Sequence, residues 1–216
     1  MAVPGSDRPV SVLPVTTQEQ LTQFREVTRK YLEWLGEDLS FQQIESELAS
    51  LPGSYANEAG GCMLLAVAAA DSSSGGDGSG EVIGAVALRR LEGHTSTVQP
   101  GQLVAGVPLE RVCEMKRLFV LAEHHGLGAG AALVRALLVE AAQRGYSVMV
   151  LDTLERLEGA NRLYCRLGFG PSERYNDCPL PGVLYFARRL DSSAAPAPSG
   201  SISGSEDAEA AAAAAD

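Results

Sequence analysis

Residues 111–151 constrain the fold more than any other stretch. Arg111 to Val120 mixes polar and apolar positions in the manner of a strand. Leu127 to Arg144 places Leu133, Val134, Leu137, Leu138, Ala141 and Ala142 on one helical face, and Gly145 follows as a stop. Ser147 to Leu151, Ser-Val-Met-Val-Leu, is an uncharged run that suits a strand covered on both faces. Strand, helix and buried strand in this order predict a parallel crossover. The chain is therefore expected to be α/β.

The flanking segments extend that sheet. Val10 to Val15 is a short apolar run followed by Thr16 and Thr17, either of which can cap a helix. Leu21, Phe24, Val27, Tyr31, Leu32 and Leu35 then recur at helical spacing up to Gly36, and Phe41, Ile44, Leu48 and Leu51 repeat the pattern before Pro52-Gly53. Cys62 to Ala70 and Glu81 to Leu91 read as two antiparallel strands. The polar, glycine-rich segment 71–80 between them is expected to be a disordered hairpin loop. Leu157, Ala160, Tyr164 and Leu167 predict a shorter helix stopped by Gly168. Two last strands are expected near Phe169–Tyr175 and Val183–Leu190. The whole is a mixed sheet of six or seven strands with helices on both faces, spanning residues 10–190.

Residues 1–9 read as a flexible terminus. Residues 191–216 form an Ala/Ser/Gly-rich acidic tail too poor in large apolar groups to offset its ordering entropy, and are expected to be disordered. The five acidic residues of that tail, which has no Lys or Arg, account for half of the formal charge of −10. Residues 1–190 thus carry −5, and the absence of a basic footprint argues against nucleic-acid binding. No stretch of about 18 apolar residues is present, so no membrane partner is expected. The N-terminus lacks the basic and apolar regions of a signal peptide, which points to a cytoplasmic protein. Cys62, Cys113, Cys165 and Cys178 are far apart, without C-x-x-C spacing or a paired histidine. They are expected to be buried reduced thiols rather than metal ligands. Sequence alone does not fix the oligomeric state.

The segment with most chemical content is His124-His125-Gly126-Leu127-Gly128-Ala129-Gly130, between the strand and the crossover helix. Glycines let backbone N–H groups approach a ligand, and the first turn of a helix offers unpaired N–H groups at the positive end of its dipole. Together they suit phosphate oxygens. A Walker A loop is excluded because no Gly-Lys-Ser/Thr follows. The dinucleotide pattern G-x-G-x-x-G/A is met by Gly126, Gly128 and Ala131, with Asp152 near the ribose-binding position. Against it, Leu121 to His125 separate the strand from the first glycine, and only one clear parallel crossover unit exists.

The pattern Q/R-x-x-G-x-G/A fits better, with His125 in place of Gln or Arg, Gly128 and Gly130. Here the chain resembles the GNAT N-acetyltransferases. Ala160-Asn161-Arg162-Leu163-Tyr164-Cys165-Arg166-Leu167-Gly168-Phe169 looks like that family's A-N-x-L-Y-x-x-L-G-F signature. The strand Cys113–Val120 resembles the one preceding its glycine turn. Arg174 to Phe186 resembles the closing hairpin of a subset of its small-molecule enzymes. The likeness covers about residues 10–190, and three motifs stand in the right order.

The resemblance implies the site. Acetyl-CoA is the cosubstrate, with no metal. Backbone amides of His125, Gly126, Leu127, Gly128, Ala129 and Gly130 would hold its pyrophosphate. Backbone groups of Leu118, Phe119 and Val120 would bond the pantetheine arm between two splayed parallel strands, and Asn161 would touch pantetheine or phosphate. A neutral imidazole at position 125 is a shorter donor than Gln or Arg, which leaves the backbone to carry the phosphates. Tyr164 matches the tyrosine that protonates the departing thiolate, although its spacing also suits a core residue. Glu114 matches the general base of some members, although a salt bridge to Arg117 or another basic residue is an equal reading. Tyr175, Asn176 and Asp177 would face the acceptor, with Asp177 holding a substrate ammonium. The implied reaction is direct acetyl transfer to the primary amine of a small molecule or peptide in a ternary complex. A non-catalytic acyl-CoA sensor and an NAD(P)-binding oxidoreductase are the alternatives.

Overall fold

A computed structural model describes residues 8–38, 43–69, 80–91, 98 and 101–190. The expected flexible terminus 1–9 (all but its last two residues), hairpin loop 71–80 (all but Gly80) and tail 191–216 lie outside the described residues, as does Phe41. In chain order the elements are β1 (Val10–Pro14), α1 (Gln18–Leu35), α2 (Ile44–Ala49), β2 (Cys62–Ala68), β3 (Glu81–Arg90), β4 (Leu103–Val104), β5 (Val107–Pro108), β6 (Val112–Val120), α3 (Ala129–Gln143), β7 (Val148–Leu154), α4 (Glu158–Arg166), β8 (Gly170–Pro171) and β9 (Val183–Arg189). Seven strands form one mixed sheet in the order β1-β2-β3-β6-β7-β9-β8, and β4 pairs with β5 as a separate hairpin. The predicted crossover is present: β6 and β7 are parallel, and every other neighbouring pair is antiparallel.

Period-two alternation sorts side chains between the two faces. Met63, Leu65, Ala85, Ala87 and Phe119 meet Leu21, Phe24 and Val27 of α1. Leu64, Ala66, Ile83, Val86 and Leu88 meet Leu133, Val134, Leu137 and Ala141 of α3. A third cluster, Leu91, Val104, Val107, Val112, Val148, Val150 and Tyr175, closes the far end. Helix α1 starts at a capping box, in which the Thr17 hydroxyl accepts from the Gln20 N–H and the Gln20 side chain accepts from the Thr17 N–H. It stops at Gly36, whose φ of 67° carries the left-handed cap.

One strand expectation fails. Phe169–Tyr175 does not form a full strand: only Gly170 and Pro171 pair with β9. The chain then leaves the sheet edge, and Tyr175 folds back beneath it to 1% exposure.

The feature that positions the site is the contact between β6 and β7. They pair over only three residues, Val112–Glu114 against Val148–Val150. Beyond that point β6 stays bonded to β3 and β7 stays bonded to β9 as far as Leu154, so a gap opens between them. A β-bulge bends β6 there. Ala85 faces Phe119 and Ala87 faces Lys116, which sets Arg117 and Leu118 opposite Val86 alone. Arg117 adopts φ 58°, a left-handed conformation disfavoured by about 1–2 kcal/mol for a residue with a Cβ. Its guanidinium is held by both carboxylate oxygens of Glu47 on α2, at 2.9 and 3.1 Å.

Candidate active site

A cleft fills the gap and runs through the sheet. On the α3 and α4 side it is walled by Leu157, Ala160 and Tyr164, and on the α1 side by Tyr31, Leu35 and Lys116. Asp152, Thr153, Cys178 and Leu180 also line it.

The glycine turn leaves backbone amides open at the start of α3. After a short 3-10 turn at Ala122–His124, Gly126 and Gly128 take φ of 88° and 72°. Gly128 caps α3 with no side-chain hydrogen bond, and the first helical bond runs from the Ala132 N–H to the Gly128 carbonyl at 3.0 Å. The amides of Ala129, Gly130 and Ala131 precede that bond and have no acceptor within the helix. A Cβ at Gly128 would meet nothing within 4 Å, so this side of the turn is open to a ligand.

His125 does not reach outward. Its Nε2 lies 3.0 Å from the Val120 carbonyl, and since a carbonyl only accepts, Nε2 carries the proton. The histidine ties the turn to the end of β6, which accounts for its departure from the Gln/Arg pattern. The Val120 carbonyl is thereby occupied. The Phe119 side chain packs away from the cleft, with ring centroids 5.5 Å from Tyr31 and 5.7 Å from Trp34. Leu118 lines the cleft, where the β6 edge past Glu114 has no strand partner on the β7 side.

Asn161 sits on the first turn of α4. Its amide nitrogen donates to the carbonyls of Leu154 and Glu155, at 3.0 and 3.2 Å, and so fixes the end of β7. Its Oδ1 is buried and has no hydrogen-bond partner among the described residues. A buried acceptor without a donor costs about 1–3 kcal/mol, which fits an atom kept for a ligand N–H. The open turn, the unpaired β6 edge and this atom together fit acetyl-CoA, with the pyrophosphate at α3 and the pantetheine arm along β6.

Tyr164 lines the cleft from α4, its ring packed against Phe169 and Phe186 at 5.9 and 6.2 Å. Among the described residues its hydroxyl makes no hydrogen bond. Burial pushes the phenol above its ordinary value, with smaller contributions of the same sign from Tyr31 and Asp152.

Glu114 is placed differently from expectation. Its side chain is 1% exposed and does not line the cleft, because it is held from three sides. Arg89 Nε is 2.7 Å away, Lys116 Nζ 3.5 Å, and the Tyr175 hydroxyl donates at 3.1 Å. The salt-bridge reading holds, with Arg89 and Lys116 as the basic partners and Arg117 turned to Glu47. Tyr175 is likewise buried, its hydroxyl also 3.3 Å from Asp152 Oδ1. Asn176 is a turn residue, accepting from the Cys178 N–H and the Tyr185 hydroxyl at 3.2 and 3.1 Å. Asp177 is 59% exposed, pairs with Arg174 at 3.6 Å and does not line the cleft. The expected substrate trio is therefore a support, and the cleft is faced by Cys178 and Leu180 instead. Nor are all four thiols buried: Cys165 is exposed and Cys178 half-buried.

Sequence reasoning missed Lys116 and placed Asp152 only in the dinucleotide alternative. Lys116 Nζ lies 3.0 Å from Asp152 Oδ1 across the gap, and both line the cleft. Burial raises the Asp152 carboxyl, but the charge and hydrogen bond of Lys116 outweigh it and hold the group below its ordinary value. Their signal was the two-residue step from Glu114 to Lys116 and from Val150 to Asp152, which puts all of them on the α1 face. The dinucleotide alternative is overturned by the same geometry. The sheet has one parallel pair rather than a doubly wound series, and Asp152 is engaged by Lys116 and Tyr175.

No helix among the described residues is long and apolar enough to cross a membrane, and no group of three or more His, Cys, Asp or Glu among them is placed to hold a metal. Residues 24–169 match the family model described as the acetyltransferase (GNAT) family. An uncharacterised N-acetyltransferase of Schizosaccharomyces pombe is 35% identical over 176 residues, which are 82% of this chain and 92% of the relative. A Dictyostelium discoideum protein of the same description is 31% identical, over 81% and 96% of the two chains. A GNAT-family acetyltransferase structure from Staphylococcus aureus superposes with a TM-score of 0.60 at 16% identity, covering 85% of this chain and all of that one. An acetyltransferase from Salmonella typhimurium, solved with acetyl-CoA, gives 0.55 at 17% identity, over 88% and 99% of the chains. The chain belongs to the GNAT family and is an acetyl-CoA-dependent acetyltransferase.

Proposed function

We propose that the protein transfers the acetyl group of acetyl-CoA to a primary amine by direct attack within a ternary complex. The observation that carries this reading is the through-going cleft at the β6–β7 gap, with the phosphate cradle and Tyr164 toward one face and Asp152 toward the other. The thioester supplies an activated acetyl group. Amides of Ala129, Gly130 and Ala131 hold the pyrophosphate, and the free β6 edge with Asn161 Oδ1 aligns the arm. An amine entering from the α1 side reaches the acetyl carbon without first acylating a residue of the protein, so no covalent enzyme intermediate is required.

Tyr164 is the proton donor to the departing sulfur. Its raised pKa keeps the phenol protonated throughout the neutral range, and its hydroxyl is not committed to another partner. Glu114 does not touch the acceptor. It holds Tyr175 and Lys116, and through them the Asp152 carboxylate that does face the cleft. Asp152 is an anion at neutral pH and suits the holding of an ammonium, while the proton that the amine must lose passes to water.

Calorimetric titration with acetyl-CoA, with NADH and NADPH as controls, is the direct test. Saturable binding of acetyl-CoA alone, followed by amine-dependent release of free CoA, is the expected result. Tight binding without turnover on any amine class would favour a sensor instead.

A further inference from the structure

The charges around the acceptor end of the cleft form a closed set. Arg89, Glu114, Lys116 and Asp152 share the α1 face of the sheet, and their side chains are 17%, 1%, 9% and 10% exposed. Two cations face two anions, and Tyr175 contributes a neutral hydroxyl between the carboxylates. The cluster is thus neutral and largely dry. A guest that adds a net charge to such a site is penalised, because each charge of the set already faces its opposite and the side chains are largely buried. A guest that carries both signs is not. Arg117, the other buried cation lining the cleft, is already matched by Glu47.

Lys116 Nζ and Asp152 Oδ1 are 3.0 Å apart, and both groups border the cleft. In an α-amino carboxylate a single carbon carries both the ammonium nitrogen and the carboxylate, so its opposite charges lie about as far apart as this pair. Above the pair the walls turn apolar: Tyr31 and Leu35 from α1, and Leu180 and Val183 from the closing hairpin.

We propose that the acceptor is a free α-amino acid with an apolar side chain, its ammonium held by Asp152, its carboxylate by Lys116, and its side chain lodged between α1 and the closing hairpin. This rests on the acetyl-transfer reading above and narrows it. In the reaction the amine nitrogen, having lost one proton to water, bonds to the acetyl carbon and gives up a second proton to water as the amide forms. The carbon–sulfur bond breaks, and the sulfur keeps the electron pair and takes a proton from Tyr164, which water restores. The products are an N-acetyl amino acid and CoA. Acetylation abolishes the positive charge that Asp152 binds, so product is held less well than substrate. A polyamine brings charge without a carboxylate, and a lysine within a protein keeps its backbone carboxyl in an amide. Neither matches the pair.

The test uses the full chain with saturating acetyl-CoA and reads CoA release. L-Phenylalanine is compared with phenethylamine, which differs only by lacking the carboxylate, each rate referred to its free-amine fraction. Phenylalanine is expected to have the higher kcat/KM by at least about 10-fold, the value of one charge-assisted contact. Lys116→Met is expected to bring that ratio close to one without altering acetyl-CoA affinity. Equal or better use of phenethylamine, a preference for spermidine, or an unchanged ratio in Lys116→Met overturns the proposal. The wild-type comparison decides even if that variant does not fold. Acetyl-CoA binding with no CoA release on any amino acid also overturns it while leaving the cofactor assignment in place, whereas failure to bind acetyl-CoA removes the functional reading itself.

Discussion

Lys116 and Asp152 join their side chains at 3.0 Å two residues beyond Glu114 and Val150, the last positions at which β6 and β7 pair. The side-chain pair takes over where the backbone ladder ends, so one contact both spans the gap and faces the cleft. Asp152→Asn keeps the shape and removes the charge. It is expected to lower kcat/KM for the acceptor by about 10- to 100-fold, the range of a lost charge-assisted hydrogen bond. Acetyl-CoA affinity should stay within about twofold, since Asp152 lies away from the glycine turn. Steady-state kinetics beside titration of the cosubstrate separate the two effects.

Tyr164→Phe removes only a hydroxyl that has no hydrogen-bond partner among the described residues. The ring contacts with Phe169 and Phe186 are retained, so the melting temperature should hold. Turnover should fall by about 10²-fold or more if the phenol protonates the sulfur. An unchanged turnover number would remove Tyr164 from the chemistry.

The pH dependence follows from the same assignments. Asp152 is depressed and Tyr164 is raised, so neither changes charge between about pH 5 and 9. The rate should therefore rise with pH in step with the free-amine fraction of whichever acceptor is used. Two acceptors of different amine pKa should give correspondingly displaced profiles. A single limb common to all acceptors would instead mark a titrating base on the protein.

The crossover, both faces of the core and the glycine turn were legible in the sequence because each is a local pattern. Helix period, strand alternation and turn glycines depend on neighbours a few residues away. The partners of Glu114 and Tyr175 were not legible because they are distant in the chain. Arg89 approaches Glu114 from 25 residues upstream, and Tyr175 approaches it from 61 residues downstream. The left-handed Arg117 at the bulge carries no local signal either, since its conformation is held by Glu47, 70 residues away in sequence. His125 was legible as a departure from the pattern, but its turn inward to Val120 depends on where β6 ends. Asp152 was visible as a residue, yet its role waited on the gap that β6 and β7 enclose.

Gly128→Ala tests the cradle. At φ 72° a Cβ costs about 1–2 kcal/mol, and since that Cβ would meet no atom within 4 Å, the cost is conformational alone. A modest loss of stability is expected together with a loss of acetyl-CoA affinity larger than about 10-fold, because the added methyl occupies the open side of the turn. A stability loss without an affinity loss would show that the ligand approaches elsewhere.

The Glu47–Arg117 pair sets the acid limit of the fold. Burial by itself would raise the Glu47 carboxyl, but the hydrogen bonds and charge of Arg117 prevail and hold it below its ordinary value of 4.5. A carboxylate depressed in the folded state favours folding at every pH above its unfolded value, and that contribution disappears as pH falls through the folded one. Asp152 acts in the same sense from its ordinary value of 3.8. Stability should thus be level near neutrality and fall below about pH 4.5, with net proton uptake on unfolding. Glu47→Gln should flatten part of that acid limb. At neutral pH it should also destabilise the protein, because it removes the Glu47 carboxylate from the buried Arg117, a loss of about 3–5 kcal/mol when one partner of such a pair is removed. Denaturant melts of both proteins from pH 3 to pH 7 give the two slopes directly, and identical slopes would show that Glu47 is not among the groups that titrate on acid unfolding.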